Sequence, residues 1–146
     1  MKLLEGVLSK RKVLWWVLFV TCCGFVVWMT LLRRITTERK YEFELFWVFR
    51  LWIENDPFGR DVLIQYVNNI LFFIPLGVFL SEIVTSWKRV ILLGFGISVV
   101  IEFTQFLTVR GLAAIDDVIS NTVGTLIGAL IWIVEKKLVE RYINVR

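Results

Sequence analysis

Four blocks of apolar side chains, at residues 13–32, 67–85, 90–107 and 115–134, constrain this chain more than anything else in it. Each is close to the roughly 20 helical residues that cross a hydrocarbon layer of about 30 Å. At that length the blocks read as membrane-crossing helices. The expected fold is therefore all-α: a polytopic bundle of about four transmembrane helices forming a single domain over residues 1–146. Composition agrees, because 58% of the residues are hydrophobic, above the half or so of a soluble domain.

The ends of the blocks carry the charge. Lys10, Arg11 and Lys12 precede the first block, and Arg33 and Arg34 end it. The block is too long for a signal-peptide core and lacks a small-residue cleavage site, so it reads as an uncleaved signal-anchor helix. With the amino terminus cytoplasmic, inside segments hold Lys2, Lys10, Arg11, Lys12, Lys88, Arg89, Lys136, Lys137, Arg141 and Arg146. Outside segments hold Arg33, Arg34, Arg39, Lys40, Arg50, Arg60 and Arg110. Ten against seven favours both termini inside. The net charge of +4 is thus explained by topology, and no zinc-finger or aromatic RNA-binding motif points to nucleic acid. Adjacent Cys22 and Cys23 diverge by about 100° on a helix, so they read as small apolar fillers and not as a disulfide or metal site. The chain has no His, which removes histidine chemistry and the commonest metal ligand. No metal or cofactor is expected.

Residues 35–66 form a mixed connector, too long for an idle loop. Tyr41, Phe43, Phe46, Trp47, Phe49, Trp52 and Ile53 are interleaved with Glu42, Glu44, Arg50 and Glu54. Rings and charges so close together suit a helix lying in the membrane interface. Asn55 to Gly59 then reads as a turn. In the second block Pro75 removes a backbone donor and disturbs the Leu71 carbonyl, which predicts a kink.

Polar residues inside the blocks cost free energy and so carry information. Glu102 and Gln105 lie about 60° apart on one helical face, joined by Ser98. An intramembrane carboxylate is a functional-site hypothesis by default. Its structural alternative is pairing with Arg110 or an Asn, made easier by a depth of only about 8 Å below the helix end. Asp116 and Asp117 open the fourth block, where an N-cap and a first-turn acid account for them singly. Asp117, Asn121, Gly124 and Gly128 recur as one stripe. Gly124 and Gly128 form a GxxxG pair suited to close helix packing. Asn68 and Asn69 stand at the outer end of the second block, where one of them could cap it. On this topology Asn69, Glu102, Gln105, Arg110, Asp116, Asp117 and Asn121 share the outer third of the bundle.

The order of these motifs is familiar. Asn69-Ile-Leu-Phe-Phe-Ile-Pro75-Leu-Gly77, then Glu102-Phe-Thr-Gln105, Arg110, Ile115-Asp116-Asp117-Val118, Asn121 and Gly124 resemble the VanZ-like family over roughly residues 68–130. The resemblance implies a bacterial plasma-membrane protein acting at the envelope, in a family named for a member linked to teicoplanin resistance. One segment differs from the family's pattern. Where an Asn-Leu-x-Pro-Phe type stretch is usual after the first helix, this chain reads Glu44-Leu45-Phe46-Trp47-Val48-Phe49.

Three functional classes fit the sequence. The first is a protein that binds or remodels an anionic envelope lipid or lipid-linked cell-wall precursor at the outer face. Arg110 would pair with phosphate, and Asn69, Gln105 and Asn121 would offer amide hydrogen bonds. The second is a membrane enzyme using Glu102, Asp116 and Asp117 as acid and base, or as oxygen ligands for Mg²⁺ or Ca²⁺. The third is a polar cluster that only locks the helices together. A nucleophile with an activating base is not visible, which ranks the enzyme second.

Overall fold

The computed structural model describes residues 2–29, 38 and 40–144. The Arg33/Arg34 pair and Thr36, Thr37 and Arg39 lie outside them. Five helices and two short strands follow in order: α1 (Lys2–Val27), β1 (Lys40–Glu42), α2 (Trp47–Ile53), α3 (Gly59–Ile83), α4 (Trp87–Thr108), β2 (Leu112–Ala114) and α5 (Ile115–Asn144). The fold is all-α in class. Helices α3 and α4 and the Ile115–Tyr142 part of α5 are long and apolar enough to cross a membrane, and α1 contributes a shorter apolar stretch, Trp15–Val27.

The bundle is built on α5. The backbones of α3 and α5 touch. A Cβ on Gly124 would meet the Ile70 carbonyl, one on Gly128 the Ile74 carbonyl, and one on Gly77 the Thr125 carbonyl. Only hydrogen side chains permit that approach, and close approach is how helices gain dispersion energy where lipid removes the hydrophobic drive. Helix α4 comes in on the other side, with Gly94 against the Thr125 side chain. Fully buried Thr125 therefore sits where three helices meet, its hydroxyl donating to the Asn121 carbonyl at 3.0 Å. Helix α3 runs unbroken through Pro75.

Helix α1 is held differently. Its contacts are ring edges: Trp15 and Phe19 on Phe79, Phe25 on Phe72, and Trp15 on Trp132. Val26, Cys22 and Cys23 join Phe73, Leu76 and Ile101 in the apolar core. Because Trp15 meets Phe79 and Phe25 meets Phe72, α1 and α3 are antiparallel. The start of α1 and the end of α5 consequently lie at one end of the bundle.

Aromatic residues mark two levels. Trp15, Trp87 and Trp132 line one groove at the end of the bundle that holds the α3–α4 turn. Tyr41, Phe43, Phe46, Trp52 and Phe58 are exposed at the other. Such belts settle at membrane interfaces. The 18 residues from Ile115 to Trp132 rise about 26 Å, close to the thickness of the hydrocarbon layer.

The connector differs from a single interfacial helix. Only Trp47–Ile53 is the separate helix α2, and α3 begins at Gly59, eight residues before the apolar block. The first turns of α3 carry Arg60, Asp61 and Gln65, so hydropathy alone hides them. Asn68 and Asn69 thus lie well inside α3 and cap nothing. The strands were not anticipated at all. They pair in parallel, Lys40 with Leu112, Tyr41 with Ala113 and Glu42 with Ala114.

Candidate functional site

The site forms where the chain turns back from α4 to α5. Helix α4 ends at Val109 in the left-handed region, with φ 57°, and Gly111 follows at φ 92°. A β-branched residue pays for that conformation, so the turn is over-determined by its surroundings. Strand β2 then runs back beside the last turns of α4. The Ala114 N–H reaches Glu102, six residues inside the α4 terminus, and donates to its Oε2 at 3.1 Å. Extended backbone at membrane depth is tolerated only where the protein satisfies it. Glu102 does so for Ala114, and β1 pairs with the strand's edge.

Asp116 solves a second backbone problem. It is fully buried, yet its carboxylate accepts the Phe46 N–H at 2.7 Å and the Val48 N–H at 3.3 Å. Those are the N-cap and second residue of α2, 70 and 68 positions away. Asp116 therefore caps α2, whereas the sequence suggested a cap for its own helix. It also stands in the first turn of α5, so two positive helix ends support one anion. Phe46 itself has φ 60° and offers no side-chain cap, which leaves the role to Asp116.

Asp117 points toward α3, where the Gln65 amide donates to its Oδ2 at 3.2 Å. The Ser120 hydroxyl donates to the Asp117 carbonyl at 3.0 Å. One turn deeper, the Asn121 amide donates to the Ser98 hydroxyl of α4 at 2.8 Å. Helices α3 and α5 are parallel, and Asn69 follows Gln65 by the same four residues as Asn121 follows Asp117. Buried Asn69 is accordingly level with Asn121. Gln105 is buried on the Ser98–Glu102 face of α4, and its carbonyl accepts the Arg110 N–H at 2.9 Å. Arg110 sits half-buried in the turn. Among the described residues, Asn121 Oδ1 and Trp47 Nε1 are buried without a hydrogen-bond partner.

All seven sequence-derived site residues thus gather at one end, within or beside the α3–α4–α5 seam. They divide by task. Glu102 and Asp116 satisfy irregular backbone, while Asp117 and Asn121 link helices side chain to side chain. Sequence reasoning missed Gln65 and Thr125, and the α2 backbone as the partner of Asp116. The i, i+4 repeat of Gln65 and Asn69 in α3 was the available signal for the first. Among the described residues no three acidic or thiol side chains are grouped closely enough to hold a metal ion.

An apolar groove of about 310 Å³ opens on the flank of this end. Phe43, Val99, Phe103, Phe106, Ala113 and Val118 wall it, with Glu102 at its edge. In the surface helix α2 nearby, Arg50 pairs with Glu44 of the segment before the helix at 2.7 Å. The hydrogen bond to Glu44 raises the Arg50 pKa above its ordinary value.

A bundle of this kind, with apolar helices around a polar knot at one interface, defines a multi-spanning integral membrane protein. The profile of the VanZ/LLP1 family matches residues 13–136, most of the chain, and the protein belongs to that family. Comparison with curated proteins and with solved structures returns no match.

Proposed function

We propose that this chain works in the bacterial plasma membrane, both termini cytoplasmic, and holds an anionic envelope lipid or lipid-linked cell-wall precursor at the outer face. Altered access to that lipid would underlie a teicoplanin-type resistance phenotype. The observation that carries this reading is the apolar groove beside the α4–β2 turn. An acyl or prenyl chain would lie along Phe103, Phe106 and Val118, and the turn that supplies Ala113 to the groove also carries Arg110 for a phosphate. In this reading Asp116 and Asp117 shape the site without touching the ligand, since each already accepts a backbone or amide hydrogen, and Glu102 lines the groove while its carboxylate holds the Ala114 N–H. The same hydrogen bonds favour a second reading, in which the polar knot serves folding alone.

Two variants separate the readings. Arg110→Ala removes the phosphate contact, and Val118→Trp fills the groove. Both should accumulate normally in cells, lose any teicoplanin protection the parent confers, and lose the thermal stabilisation that phosphatidylglycerol gives the purified protein. If phosphatidylglycerol stabilises parent and variants equally, the groove holds no such lipid and the structural reading stands.

A further inference from the structure

The opposite end of the bundle is built on a different plan. Ser98 bonds Asn121 and Gly94 abuts Thr125, and antiparallel helices in that register place Trp87 level with Trp132. The last twelve residues of α5, Ile133 to Asn144, therefore overhang the α3–α4 turn by about 18 Å. Beneath the overhang lies a groove of about 750 Å³, whose walls include Ser81, Glu82, Trp132, Glu135, Lys136 and Lys137. A second, apolar slot of about 280 Å³ runs between α1 and α3, lined by Trp16, Phe19, Phe79 and Ile83. Trp15 and Glu82 line both spaces, so the two adjoin.

A charged groove at the interface beside an apolar slot at bilayer depth matches the two parts of an amphiphile. We propose that this end seats a zwitterionic phospholipid carrying a primary ammonium. Its phosphate sits between Lys136 and Lys137, its ammonium against Glu82 and Glu135, and one acyl chain in the α1–α3 slot. The sign balance selects the headgroup. A purely anionic headgroup would face Glu82, Glu135 and Glu140 across the same groove, and like charges brought together raise the energy. A quaternary ammonium carries no N–H to donate to the carboxylates. Trp15 and Trp132, edge to face with centroids 6.1 Å apart, fix the level at which the headgroup begins, as indole rings do at interfaces. This site is independent of the groove at the other end and does not rest on its occupant.

The test uses the full chain in detergent with phosphatidylethanolamine, phosphatidylcholine or phosphatidylglycerol of equal chain length, read by native mass spectrometry. Phosphatidylethanolamine should be retained about tenfold over the other two. A Lys136→Gln/Lys137→Gln double variant and Glu82→Gln should each remove that preference, while melting unchanged without lipid, because all three side chains are exposed. Equal retention of the three lipids overturns the proposal. So does stronger retention of phosphatidylglycerol, which would make the groove an anionic site. A phosphatidylethanolamine preference that survives both variants lodges the lipid elsewhere and overturns it too.

Discussion

The two ends of the bundle handle polar groups in opposite ways. At the α4–α5 turn, Asp116, Asp117, Ser120 and Asn121 are buried, and the side chains of Asp116, Asp117 and Asn121 hydrogen-bond to other segments of the chain. At the α3–α4 turn, Glu82, Glu135, Lys136 and Lys137 are exposed around an open groove. A buried carboxylate in a low-dielectric setting must be met by donors fixed in place. An exposed one is met by water and costs little. The first end is therefore a specification device, where a single residue sets the geometry of several segments. The second tolerates substitution in the fold and is free to vary in what it attracts.

The contrast can be broken most sharply at the glycines beneath the knot. Gly124→Leu or Gly128→Leu drives a side chain into an α3 carbonyl, which should cost about 3 kcal/mol or more and abolish cooperative melting in detergent. Gly96→Leu on the open face of α4, where a Cβ meets nothing within 4 Å, should melt like the parent. Equal melting of all three would mean that α3 and α5 do not rest on each other's backbones. Next in size, Asp116→Ala strips the cap from α2 and should destabilise by about 2 kcal/mol. It should also open residues 40–58 to proteolysis before the transmembrane helices loosen, while Asp116→Asn recovers part of the loss. Simultaneous cleavage throughout would show that the cap is not local. The smallest effect belongs to the exposed end, where Lys136→Gln/Lys137→Gln should shift stability without lipid by under about 0.5 kcal/mol. A loss comparable to that of Asp116→Ala would erase the distinction between the two ends.

What could be read from the sequence follows from range. The helices come from blocks of local hydropathy, and the Asp117–Asn121–Gly124–Gly128 stripe from helical spacing, so both are visible within one segment. Gly124 and Gly128 do face a neighbour's backbone. The gathering of polar residues at one end followed from counting depth along each block. The partner of Asp116 was invisible, because 70 residues separate it from Phe46 and a capping carboxylate looks the same whichever helix it caps. Glu102 was legible as costly but not as the acceptor for Ala114, since nothing local shows that β2 turns back into the bundle. Strands of three residues carry no period to detect. The start of α3 was missed because Arg60, Asp61 and Gln65 lower the hydropathy of turns that are helical.

The bond from Asp116 to α2 also orders events in time. A ribosome delivers residues 40–58 to the membrane long before it has made residue 116. Until then the Phe46 and Val48 N–H groups have no carboxylate, and the edge of β1 has no β2 to pair with. The early half of the chain must wait, shielded by water, headgroups or an insertion factor, for the last helix to arrive. Truncation before residue 112 would leave three apolar helical segments without the element that closes them, a form that quality-control proteases should recognise.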